Sequence, residues 1–200
     1  MSLGKQKPRL ETEIKLPVSD HERVENRLAQ LGLKVIRPRH FESNYLFDFP
    51  DLRLCKSGRL LRVRFAAGEN LLTFKAPPLR GRRFARRREI ETRVEDGMLL
   101  RQVLENLELE VVFTYEKYRT VFAPGAHASL RASPQVAYDE TPIGDYLELE
   151  GPAKWIDRVA GRLGHSPRDY ITATYLALYL QHCRGQGEKP GNMVFKGHKR

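Results

Sequence analysis

In the segment Glu11-Thr-Glu-Ile-Lys15, two carboxylates and an ammonium group occupy every second position. In an extended strand alternate side chains share a face, about 6.5–7 Å apart, so Glu11, Glu13 and Lys15 point one way and Thr12, Ile14 and Leu16 the other. Two carboxylates at that separation repel each other, and a divalent cation between or beside them relieves the repulsion. Hard ions such as Mg²⁺ take carboxylate oxygens and commonly share their shell with substrate phosphates. A solvated strand face can carry the same pattern, so the segment gains meaning only from what repeats it.

It is repeated with the signs sorted by strand. Tyr146, Glu148 and Glu150 share a face in Asp145-Tyr-Leu-Glu-Leu-Glu150, with Leu147 and Leu149 opposite. Arg62 and Arg64 alternate with Leu61, Val63 and Phe65; Lys75 follows Leu72 and Phe74 in the next segment; Lys117 and Arg119 share a face in Tyr115-Glu-Lys-Tyr-Arg-Thr120. One strand, with Arg87, Glu89 and Glu91, mixes the signs. An ordinary wet sheet face mingles Lys, Glu, Ser and Thr, whereas carboxylate pairs at both ends of a domain with cation pairs between them suggest a site.

The elements that must position these rows are mostly short strands. Extended segments are expected over residues 41–47, 60–65, 71–76, 86–94, 111–121, 128–132, 136–140 and 146–150, with Gly- and Pro-containing turns between them. Ser19-Asp-His-Glu22 has the form of a capping box opening a helix to Gly32. Further helices are expected over residues 96–107, 152–163 and 169–182, and residues 184–200 read as a flexible basic tail after a single domain of 1–183. Successive strands too closely joined for parallel crossovers predict an α+β fold, an antiparallel eight-stranded β-barrel with helices packed on the outside. Its apolar faces would lie under the helices and its charged faces inward, where they must hold water, metal and an anionic ligand.

Composition narrows the partners. The chain has 200 residues, 40% of them apolar, and a formal charge of +10, which implies an anionic partner. Cys55 and Cys183, the only cysteines, support neither a disulfide framework nor a zinc site. A polar start and the lack of a membrane-length apolar run predict a cytoplasmic protein that does not engage a membrane. Six arginines fall between Arg80 and Arg88. They read as a solvated loop or as a funnel for polyanions, and with Phe84 as the only interleaved aromatic they argue against nucleic acid.

Glu11-Thr-Glu-Ile-Lys15 resembles the Glu-x-Glu-x-Lys signature of the CYTH superfamily, the triphosphate tunnel metalloenzymes, which includes class IV adenylyl cyclases, thiamine triphosphatases and inorganic tripolyphosphatases. The resemblance continues in family order through Leu60-Leu-Arg-Val-Arg64, Leu72-Thr-Phe-Lys75, Arg88-Glu-Ile-Glu91, Tyr115-Glu-Lys-Tyr-Arg119, Asp139-Glu140 and Leu147-Glu-Leu-Glu150. It implies a tunnel binding a triphosphate (ATP, tripolyphosphate or thiamine triphosphate) with Mg²⁺ or Mn²⁺, and it is compatible with a homodimer. By position, Glu11, Glu13, Glu148 and Glu150 resemble the metal carboxylates, assisted by Asp139. Lys15, Arg62, Arg64, Lys75, Arg87, Lys117 and Arg119 resemble the phosphate-gripping set, and Glu148, Asp139 and Lys15 the groups closest to the chemistry. Hydrolysis is the expected reaction; cyclisation of ATP to cyclic AMP and pyrophosphate is the alternative, and a non-catalytic binding module the more distant one. His40, ahead of Phe41 and Glu42, resembles a segment of class IV cyclases, and Tyr170 stands where the family often has a tyrosine. The last helix carries no lysine of the kind some thiamine triphosphatases place over the site.

Overall fold

A computed structural model describes residues 9–81, 83–125 and 134–197. Eight strands, β1 (Arg9–Val18), β2 (Leu33–Asp48), β3 (Leu60–Ala66), β4 (Glu69–Lys75), β5 (Ala85–Val94), β6 (Glu110–Pro124), β7 (Gln135–Thr141) and β8 (Gly144–Glu150), close into a barrel. Its order is β1-β5-β4-β3-β2-β6-β7-β8, and every neighbouring pair is antiparallel. Among the described residues five helices surround it: α1 (His21–Gln30), α2 (Arg53–Lys56), α3 (Gly97–Asn106), α4 (Ala153–Arg162) and α5 (Tyr175–Gln186). Closure makes β1 and β8 neighbours, so the acidic rows that lie farthest apart in sequence come together. Among the described residues no helix is long and apolar enough to cross a membrane.

The core is outside the barrel wall, as the alternation predicts. Ile14, Leu16, Leu147 and Leu149, the partners of the charged rows, are fully buried or nearly so under Ile156, Val159 and Ala160 of α4 and Leu28 of α1. A side chain of that size contributes about 1.5–3 kcal/mol on burial. Phe47 and Val63 are covered by Leu104 of α3 in the same way. The β3–β4 hairpin turns through Ala67 and Gly68, both at positive φ (49° and 77°), the geometry that matches strand twist in a two-residue loop. Its register sets Arg62 against Thr73 and Arg64 against Leu71.

Several local expectations are corrected. The α1 cap is Asp20, whose side chain accepts from the Arg23 N–H at 3.0 Å, rather than Ser19. β2 starts at Leu33, not at 41, with register shifts on either side of Arg37; Pro38 there has no N–H to give the ladder. The strand expected over 128–132 lies outside the described residues. In place of one helix from 169 there is a 3₁₀ turn, Pro167–Asp169, then α5 from Tyr175.

Residues after 183 also reach the barrel. β6 pairs with β7 only from Tyr118 to Phe122, which leaves the earlier half of β6 open on one side. Met193 fills that side, its N–H donating to the Thr114 carbonyl at 3.0 Å and its carbonyl accepting from Glu116 at 2.9 Å. The Met193 side chain is 1% exposed and packs with Leu46, Phe113, Tyr115 and Tyr175.

Candidate active site

The inward faces enclose a cavity of about 380 Å³. Ten Lys and Arg side chains and eight Glu side chains line it, with aliphatic contributions only from Leu60, Leu71 and Val121. Lys15, Arg62, Arg64, Lys75, Arg87, Lys117 and Arg119, the cations expected to grip phosphate, all reach it, as do Glu11, Glu13, Glu148 and Glu150.

The cations are already partnered. Lys15 lies 3.1 Å from Glu13 and 3.2 Å from Glu148. Lys75 lies 2.6 Å from Glu11 and 2.9 Å from Glu89. Burial alone would lower the ammonium pKa values of Lys15 and Lys75, but these carboxylates outweigh it and raise both. Arg62 donates to the Tyr115 hydroxyl and to Thr73, each at 3.2 Å. Arg64 donates from Nε to Asn44 Oδ1 at 2.9 Å. Arg87 has only a long contact, 3.4 Å, to the Gly58 carbonyl.

Asp139 organises the opposite wall. It is fully buried, and Arg119 grips both its oxygens at 2.6 Å while Lys117 donates at 2.9 Å. The Tyr175 hydroxyl adds a third donor. Burial opposes ionisation of Asp139, and Arg119 and Lys117 overcome it to keep the carboxyl below its ordinary range. With its oxygens engaged in this way, Asp139 anchors Arg119 and Lys117. Glu148 accepts from Arg119 at 2.9 Å; against its burial, Lys15 and Arg119 hold it well below the usual carboxylate range.

The acidic corner lies between β1 and β8, where Glu13 stands opposite Glu150 and Lys15 opposite Glu148. Directly opposed residues have Cβ atoms about 4.5–5.5 Å apart, and like charges there are destabilising. Burial, with repulsion from Glu11 and Glu13, pushes Glu150 up to about 7 although Arg9 lies 2.7 Å away. Carboxylates crowded without enough positive charge are chemically suited to a hard divalent ion. Among the described residues no three Asp, Glu, His or Cys side chains already form a coordinating group. The donor set of Glu11, Glu13, Glu148 and Glu150 fits Mg²⁺ or Mn²⁺ in kind, and its present Lys and Arg partners would have to yield.

Other cavity residues escaped the sequence reading. Tyr175 and its helix cap Thr174 line the cavity, and the Tyr175 ring centroid lies 5.1 Å from Lys15 Nζ and 4.9 Å from Lys117 Nζ. Tyr170, the tyrosine singled out by resemblance, instead donates to Asp157 at 3.0 Å and packs on Phe84. Of the arginine run only Arg87 enters the cavity. Arg83 pairs with Asp157 of α4 at 2.7 Å, Arg86 and Arg88 are exposed, and Arg82 lies outside the described residues.

The chain matches the CYTH domain over residues 9–160. A protein of Methanocaldococcus jannaschii, provisionally named an adenylate cyclase, is 29% identical over 141 residues, 70% of this chain and 76% of that protein. A Vibrio parahaemolyticus structure, also provisionally named an adenylate cyclase, superposes with a TM-score of 0.73 at 22% identity, covering 86% of this chain and 98% of its own. A Hippeastrum protein, provisionally an adenylyl cyclase and described as having a dominant triphosphatase activity, superposes at 0.61 with 16% identity, covering 90% and 97%. At such identities the solved structures speak to the fold alone. The family match spans every strand of the barrel and most of α4, and on that ground the chain belongs to the CYTH family.

Proposed function

We propose that the chain is a divalent-metal-dependent enzyme that hydrolyses a triphosphate held inside the barrel. The observation that carries this reading is the convergence of ten cations and eight carboxylates on one cavity. Their formal excess is two positive charges, and a single divalent ion would bring the cavity close to the roughly four negative charges of a triphosphate. A site for a simple anion would have no use for the crowded acids of β1 and β8.

Glu11, Glu13, Glu148 and Glu150 would hold Mg²⁺ or Mn²⁺, which when bound supplies positive charge against the phosphate oxygens. Arg62, Arg64 and Arg119 offer forks to phosphate oxygens, while Lys15, Lys75 and Lys117 act as point charges. Asp139 holds Arg119 and Lys117 in place before substrate arrives, so no reorganisation is needed as charge develops. Glu148, kept ionised by its neighbours, orients a water towards the terminal phosphorus. The water oxygen bonds to phosphorus as the bridging P–O bond breaks; diphosphate departs against the fixed cations, and the released proton ends on the orthophosphate.

The Methanocaldococcus relative supports a second reading, cyclisation of ATP, in which a ribose hydroxyl replaces water and pyrophosphate leaves. Incubation with ATP and with tripolyphosphate, in Mg²⁺, Mn²⁺ and EDTA, separates the two. Metal-dependent orthophosphate without cyclic AMP is expected; cyclic AMP with equal pyrophosphate would establish the cyclase instead.

A further inference from the structure

On the inward face of β2, residues 40, 42 and 44 each carry a buried polar atom without a hydrogen-bond partner: His40 Nε2, Glu42 Oε2 and Asn44 Nδ2. Glu42 is 2% exposed and lines the cavity with His40. Burial opposes its charge, yet Arg64, Lys117 and Arg119, with His40 beside it, keep it ionised. None of the cations gives it a good hydrogen bond. Arg64 directs its Nε to Asn44 and comes no closer to Glu42 than 3.5 Å; Lys117 directs its ammonium to Asp139 and lies 3.6 Å from Glu42. His40 Nδ1 lies 2.9 Å from the Pro38 carbonyl, which can only accept, so in the neutral ring Nε2 is an acceptor. It stands 3.4 Å from Glu42 Oε1. With the ring neutral, two acceptors thus face each other over the cavity, and the neighbouring donors Arg64 and Lys117 are directed elsewhere.

Phosphate cannot satisfy such a pair, because a carboxylate and a fully ionised phosphate repel. A hydroxyl or amine can, by donating to Glu42 Oε2 and His40 Nε2 together. The geometry points to a subsite for the non-phosphate part of the substrate: His40 and Glu42 select an organic triphosphate bearing a hydroxyl or amine over inorganic tripolyphosphate. This rests on the proposed triphosphate site and adds the substrate class. Burying an acceptor that the correct substrate pairs and the wrong one leaves unpaired gives strong discrimination.

The test compares kcat/KM for ATP, for 2′,3′-dideoxy-ATP and for tripolyphosphate in the wild-type protein, Glu42→Gln and His40→Phe. The expected result is a preference for ATP over tripolyphosphate that falls about tenfold or more in both variants. If the sugar hydroxyls are the donors, dideoxy-ATP behaves as tripolyphosphate does; if the base amine is, it behaves as ATP. Equal losses on all three substrates would make the pair a support for Arg64 and Lys117 and overturn the proposal, as would a wild-type preference for tripolyphosphate. Calorimetric binding of the same ligands in Ca²⁺ reads the selectivity without turnover. Absence of any cleavage with selective binding would therefore sink the hydrolase reading and leave the subsite standing. His40→Phe leaves Glu42 and every Lys and Arg of the wall in place, so it reports even where Glu42→Gln does not fold.

Discussion

At the scale of single residues, the site is a set of charges already paired with one another: Glu11, Glu13, Glu148 and Glu150 must yield their cation contacts when metal and phosphate arrive, while Asp139 keeps Arg119 and Lys117 in place. Glu13→Gln and Glu150→Gln remove donors from the acidic corner and should each lower kcat at least about 100-fold. Glu150→Gln should not lower Tm, since it takes a charge out of a pair opposed across β1 and β8; a large loss of stability would mean this group holds the barrel together. Arg64→Lys is a separate probe. It retains the positive charge that Glu42 needs 3.5 Å away but loses the fork, and it should raise KM about tenfold with little change in kcat. The rows that these variants address were legible because alternation fixes the face of every strand residue and the signs are sorted by strand. Glu42 and Asn44 were not, since polar residues alternating with Phe41, Ser43 and Tyr45 look like the wet side of any strand. Nothing local shows that Arg64 and Lys117 turn their hydrogen bonds elsewhere.

At the scale of elements, the least legible part was the end of the chain, where composition misled. Residues 184–200 hold little apolar content, yet Met193 needs only an open strand edge, and that edge arises from the short β6–β7 pairing, which sequence does not reveal. The start of α5 was misplaced for a related reason: an isolated bridge between Lys15 and Ile171 takes the chain past the barrel wall before the helix begins, and Thr174 caps it. The strap and α5 act together, because Met193 packs in the same cluster as Tyr175, whose hydroxyl binds Asp139. Met193→Ala should cost about 2–4 kcal/mol by cavity formation, lowering Tm by roughly 4–16 °C in a domain of this size. Protection of the Thr114 and Glu116 amides from hydrogen exchange should fall while that of β1 and β8 persists. Uniform loss of protection would show that the strap is part of the global folding unit.

For the whole molecule, a barrel lined by opposed charges ties stability to pH in two directions. Glu42, Asp139 and Glu148 have depressed folded values. Their contribution is complete above the ordinary carboxylate range, about 4, and is lost as pH falls through the depressed values. Glu150 has the opposite sign. Its folded value of about 7 exceeds the unfolded value of about 4.3, so the proton it binds favours the folded state below 4.3, and that advantage disappears as pH rises through 7. In EDTA, Tm should therefore rise as pH is lowered from 8 to about 5.5 and fall steeply below about 4. Glu150→Gln should abolish the first limb and keep the second. Saturating Mg²⁺ should also remove the first limb, because an ion bound at the acidic corner stabilises the ionised carboxylates and gains from their deprotonation. Scanning fluorimetry from pH 3.5 to 8.5, with and without the metal, measures all three curves. A first limb unmoved by Mg²⁺ would place the crowded charge of the barrel somewhere other than the β1–β8 corner, and the proposed metal donors with it.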